Sequence, residues 1–244
     1  MNELDNENRV LELFRLVPKD KVCILYEDDK SKEIYESLVL NSEKWIDNSG
    51  KADLPPDFLN PSDSIMMEVM RVNDTNSESN RRETELQKEL EKSGIFELFP
   101  NVQNVTCIPD VHSQNYESYI RSFERTVNKH NSKISSYYNN HPEMERTVFF
   151  VCDESEAYYE LGEYTEKGIS SKVHTWFLDK KLVTVLKACD AQCVIWFTPY
   201  KALERDGIKY PDVVVINPKL INDSQLIAYN SNHMVAATFV KRIT

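Results

Sequence analysis

Apolar residues recur at two periods along this chain, and the alternation between them is the main guide to its architecture. Val10, Leu11, Leu13, Phe14 and Val17 fall at helical spacing ahead of Pro18, which predicts a short amphipathic helix over residues 6–17. Val22 to Tyr26 is an apolar run closed by Glu27, Asp28 and Asp29. Ile34, Tyr35, Leu38 and Val39 then return at helical intervals, so a strand, a turn and a helix are expected. Residues 47–63 hold Gly50 and three prolines and read as an irregular connection. Ile65 to Val72, apolar except for Glu68 and Arg71, reads as a strand.

Beyond it come a polar loop at 73–80, a charged helix at 81–93 capped by Gly94, and a short strand at 105–108. Tyr116, Ile120, Phe123, Val127 and Ile134 keep one face of a long helix over 115–137. Thr147 to Cys152 is apolar at every second and every intervening position, the mark of a strand covered on both faces. A helix at 174–188, strands at 193–197 and 213–216 and an edge strand at 236–240 complete the pattern. Alternating strands and helices predict an α/β fold, one domain over 1–244, built on a mainly parallel sheet of roughly five to six strands with helices on both faces.

Composition narrows the class. With 41% hydrophobic and 28% charged residues the chain is expected to fold. No stretch approaches the roughly 18 uninterrupted apolar residues of a membrane helix, and the acidic start Met1 to Asp5 does not resemble a signal peptide, so a cytoplasmic protein is expected. The net charge of −11, with no run of more than two adjacent Lys or Arg, counts against a nucleic-acid binder, although a divalent cation neutralises a site locally. Of the five cysteines, four sit in or beside apolar runs and read as reduced core residues. Cys189 and Cys193 lack the partners of a zinc site. The histidines, 112, 130, 141, 174 and 233, show no ligand spacing, and there is no nucleophile elbow.

Candidate chemistry lies where strands end. Glu27, Asp28 and Asp29 follow the first strand, Asp74 the second, Asp110 the third, Asp153 and Glu154 the fourth, and Thr198 the fifth. In a parallel sheet these carboxyl ends share one edge, and carboxylates gathered there need a cation, a basic partner or raised pKa values. A magnesium or manganese site on Asp153, Glu68, Asp57 and Asp74, with Asp153, Glu154 and Glu68 as catalytic carboxylates, is one reading. Capping of the following helices by the same acids is the structural alternative. Glu68, surrounded by Met66, Met67, Val69 and Met70, must be paired, metal-bound or protonated, and a structural salt bridge is the commoner outcome for such a residue.

Three segments resemble known families. Residues 147–200, with Val148-Phe-Phe-Val-Cys-Asp153-Glu154 and Val194-Ile-Trp-Phe-Thr198, resemble the Walker B and sensor half of P-loop ATPases. That resemblance implies a magnesium-supporting aspartate and a water-polarising glutamate. The turn after the first strand has Lys30 and Ser31 but aspartates where a phosphate loop needs glycines. Pro56-Asp57, ten residues and then Glu68 in an apolar strand is similar to the PD-(D/E)XK nuclease pattern, which implies two metal-holding carboxylates and a lysine two positions later. Here that position is Met70, and Arg71 should face away from Glu68. Val22 to Asp29 with Asp153-Glu154-Ser155 resembles a Toprim domain without its glycine and second aspartate. The functional expectation is a metal-dependent phosphoester hydrolase of nuclease type acting on nucleic acid. The alternative is a non-catalytic module on a degenerate nucleotide-binding fold that partners another protein subunit.

Overall fold

The computed structural model describes residues 7–50, 56–72, 116–154, 160–161, 163–165, 168–170, 176–199, 204–205, 208–209, 211–228 and 234–235. The expected helix at 81–93, the strands at 105–108 and 236–240, and the candidates Asp74 and Asp110 lie outside these residues. Of Glu27 only the backbone is described.

Helix α1, Glu7–Arg15, is followed by strand β1, Val22–Ile24, and helix α2, Asp29–Leu40. Asp28 caps α2, its side chain accepting from the Ser31 backbone N–H at 3.1 Å and from the Ser31 hydroxyl at 2.6 Å. The stretch read as irregular contains two short strands, β2, Ile46–Asp47, and β3, Phe58–Asn60. Strand β4 spans Ile65–Val72, as the pattern predicts. Helix α3, Tyr116–Asn131, and helix α4, Ile134–Asn140, replace the single long helix, with the chain turning at Ser132 and Lys133. Strand β5 is Arg146–Asp153, helix α5 Lys180–Lys187, strand β6 Cys193–Phe197 and strand β7 Val213–Ile216.

These strands form one seven-stranded sheet in the order β1-β7-β6-β5-β4-β3-β2. Strands β4, β5 and β6 are parallel neighbours, in register from Glu68↔Phe149 to Val72↔Asp153 and from Val148↔Cys193 to Cys152↔Phe197. The flanks differ from the expectation: β7 is antiparallel to β6, β1 is parallel to β7, and β3 is antiparallel to both β4 and β2. The sheet is therefore mixed, not mainly parallel. At the β3–β4 flank the reason is connection length. A parallel return needs a crossover of a dozen or more residues, usually helical, whereas β3 reaches β4 through a tight turn at Pro61–Asp63. The link from β6 to β7, residues 198–212, carries a small hairpin pairing Glu204 with Lys209.

Both faces of the sheet are covered. On one, Val10, Leu11, Phe14, Ile34 and Leu38 pack on Met67, Val148, Phe150, Ile195 and Val215. On the other, Tyr119, Phe123, Val127, Leu182 and Leu186 pack on Met70, Phe149, Val151, Trp196 and Val214. This is why β5 reads as apolar throughout: Phe149 and Val151 serve one core, and Val148, Phe150 and Cys152 the other. Trp196 lies flat on Phe123, with ring centroids 5.1 Å apart and planes inclined by 13°. Cys152, Cys189 and Cys193 are free and buried. Burial pushes the Cys189 and Cys193 thiols up to about 11 and 12, so they are packing groups rather than nucleophiles. No described helix is long and apolar enough to cross a membrane.

Candidate functional site

The antiparallel hairpin of β3 and β4 brings two of the expected carboxylates together. Phe58 lies opposite Met67, so the register sets Asp57 opposite Glu68. Glu68 shares its face with Met66, Met70 and Val72, the side covered by α3 and α4. It is 2% exposed. Asp57 is half-buried, and its Oδ2 accepts from the Val69 N–H at 2.8 Å.

Helices α3 and α4 complete the surroundings of Glu68. His130 Nδ1 approaches Glu68 Oε2 at 2.5 Å, and Lys133 Nζ lies 4.0 Å from the same oxygen. An ionised carboxylate only accepts, so His130 carries its proton on Nδ1 when it bonds to one. The Tyr137 hydroxyl also interacts with Glu68. Burial first, and then this carboxyl, push the phenol's pKa upward. Glu68 Oε1 is buried without a hydrogen-bond partner. A buried carboxylate oxygen without a hydrogen bond is costly to the fold.

Electrostatics bind the pair into one unit. The Asp57 carboxyl is pushed up to about 6, chiefly by burial and next by the charge of Glu68. Glu7 at the start of α1 adds to the rise, while the Val69 N–H and His130 oppose it. Negative charge at this point is thus held against both desolvation and repulsion.

The other expected candidates are placed elsewhere. Asp153, 1% exposed, ends β5 on the same face as Glu68, but Val72 is its register partner, four residues along from Glu68. At roughly 3.3 Å per residue the two carboxylates are about 13 Å apart along the strands, beyond the reach of a shared ion. Asp153 Oδ2 accepts from the Tyr119 hydroxyl at 3.1 Å and Trp196 Nε1 at 3.2 Å. Glu154 turns to the opposite face and is gripped by Arg71, with Nε at 2.7 Å and Nη2 at 2.5 Å from Oε1. Arg71 does face away from Glu68. Thr198 is buried and donates its hydroxyl proton to the Asp212 carbonyl at 3.1 Å. Because β1 runs against β4, β5 and β6, the turn at Asp28 lies at the rim opposite Asp153. The two ends of the ATPase-like and Toprim-like patterns therefore do not meet.

His130, Lys133 and Tyr137 escape a search for ligand motifs. The signal that finds two of them is rhythm: 116, 120, 123, 127, 130, 134 and 137 alternate steps of four and three, so His130 and Tyr137 occupy positions of the buried stripe. Among the described residues no group of three or more His, Cys, Asp or Glu side chains is arranged as a metal shell. Compared with family models, curated proteins and solved structures, the chain shows no significant match.

Proposed function

We propose that this chain is a metal-dependent phosphoester hydrolase of nuclease type in which Asp57 and Glu68 hold a magnesium or manganese ion. The observation that carries the reading is the facing pair itself: two carboxylates at one register position, with one Glu68 oxygen buried and unbonded. A divalent cation would offset both the repulsion and the desolvation. Two carboxylates are also the usual protein share of a magnesium site, the remaining positions going to water and substrate phosphate. When bound, such an ion supplies a water of lowered pKa and charge relief at a phosphoester oxygen.

The other residues have supporting roles. His130 fixes Glu68 Oε2, orienting the carboxylate and leaving Oε1, buried and without a hydrogen bond, as the oxygen for an ion. Lys133 brings positive charge to Glu68 from the helix side. It offers a substitute for the lysine that the PD-(D/E)XK resemblance expects at position 70, where Met70 is fully buried. Asp153 and Glu154, spent on Tyr119, Trp196 and Arg71, support the frame rather than the ion.

The test is turnover of bis(p-nitrophenyl) phosphate and of plasmid DNA with manganese or magnesium. Wild type is expected to cleave only with metal. Glu68→Gln is expected to lose about a hundredfold or more, since an ion ligand underlies several kcal/mol of charge stabilisation. No metal-dependent turnover in wild type, or an equal rate in Glu68→Gln, would defeat the reading and favour the non-catalytic interaction module.

A further inference from the structure

Helix α3 carries a row of bases along its outer side. Arg121, Arg125 and Lys129 follow at four-residue intervals, all exposed, and Lys133 in the turn that ends the helix continues the row. Arg125 and Lys129 meet no carboxylate within ion-pair distance among the described residues. Of the helix's two acids, Glu117 stands one turn ahead of Arg121, whose Nε donates to the Glu117 carbonyl at 3.1 Å. Glu117 pairs with Lys181 at 2.5 Å, and Glu124 lines a cleft of about 470 Å³ shared with Lys180 and Lys181 of α5.

The row runs against two trends. Like charges at four-residue spacing repel and weaken the helix that bears them. The chain is also acidic overall, with 40 Asp and Glu against 29 Lys and Arg, so composition does not force bases together. The row leads somewhere specific, since its last member lies 4.0 Å from Glu68 Oε2. From 121 to 133 it covers about 18 Å of helix axis, the span of roughly five phosphates of one duplex strand.

We infer that this row is a docking track for a phosphodiester backbone, so that the substrate of the Asp57 and Glu68 site is a polynucleotide lying along α3 with its scissile end at Lys133. The inference rests on the hydrolase reading for its chemistry and on the charge row for its surface. A small phosphoester would use only the last base, whereas a polymer engages all four.

Fluorescence anisotropy of a labelled DNA duplex in EDTA separates the surface from the chemistry. The variant Arg121→Gln/Arg125→Gln/Lys129→Gln is compared with Lys19→Gln/Lys30→Gln/Lys32→Gln, which removes the same charge from exposed positions outside the row. Both are checked for an unchanged melting midpoint. Over about 50 to 200 mM NaCl the row variant is expected to bind at least about tenfold more weakly, with a log–log salt slope shallower by about 2 to 3, while the control keeps wild-type affinity and slope. Equal losses in both variants, or no duplex binding by wild type, would overturn the track. Turnover of bis(p-nitrophenyl) phosphate without duplex binding removes the track and leaves the hydrolase. Binding through the row without turnover removes the hydrolase, and with it the substrate claim, and keeps the surface.

Discussion

His130→Leu is expected to lower the unfolding free energy by about 3–5 kcal/mol, because it leaves the Glu68 carboxylate buried without its closest partner. Glu68 is 2% exposed, and Lys133 at 4.0 Å is too distant to replace a contact of 2.5 Å. The double variant His130→Leu/Glu68→Met is expected to regain most of the loss, since methionine continues the packing of Met66 and Met70 and removes the stranded charge. Urea midpoints of the four members of the cycle measure this. If the single variant melts like wild type, Glu68 does not depend on His130. If the double variant is as unstable as the single one, burial of the carboxylate is not the cause. Recovery in the double variant carries a functional implication: a chain shaped by stability alone has no need of a glutamate at position 68.

A second large effect is expected at Asp153. Removing its carboxylate in Asp153→Ala strands two buried donors, Trp196 Nε1 and the Tyr119 hydroxyl, at a cost on the order of 3 kcal/mol. Asp153→Asn keeps an acceptor oxygen and is expected to recover more than half of that. Trp196 reports the change directly, because its fluorescence depends on the group its indole N–H faces. A frame residue predicts this rescue by asparagine. A metal-binding aspartate at the carboxyl end of β5 predicts none, and equal damage in the two variants would restore Asp153 to the list of ligands.

Much of the frame was legible along the chain, and the reasons for the exceptions are physical. Strands β4, β5, β6 and β7 stand out because two covered faces demand apolar side chains at successive positions. Helix α1 and helix α2 announce themselves by period and by Pro18 and Asp28 at their boundaries. Strand direction is not written in apolar pattern, and this is why the sheet turns out mixed. Only connection length carries that information, and the tight turn at Pro61–Asp63 was the available clue. Strands β2 and β3, two and three residues long, are too short to show a period. The break at Ser132 and Lys133 leaves the four-three rhythm of α3 and α4 intact, so the two helices read as one.

The site was half legible. Asp57 and Glu68 were found through their spacing, but their facing each other follows from hairpin register, which spacing alone does not encode. Asp28 and Glu68 stand apart from the rim at Asp153 for two different reasons, one a reversed strand and the other a mid-strand position. With β1 reversed, Asp28 became a helix cap. Four residues of β4 and β5 separate Glu68 from Asp153. His130 is an ionisable residue on a buried stripe, and its partner is an ionisable residue in an apolar strand, Glu68. Pairing buried ionisable groups across predicted faces is therefore a better guide here than ligand spacing within a segment.

The central claim is that Asp57 and Glu68 jointly bind a divalent cation, and manganese titration of the metal-free chain, followed by calorimetry, tests it most directly. Wild type is expected to bind one ion at pH 7.5, and Asp57→Asn/Glu68→Gln to bind none. Because the Asp57 carboxyl titrates near 6, its proton competes with the ion below that pH, so the wild-type affinity is expected to fall about tenfold at pH 5. An absence of binding in wild type, or an ion held equally well by the double variant, would contradict the account.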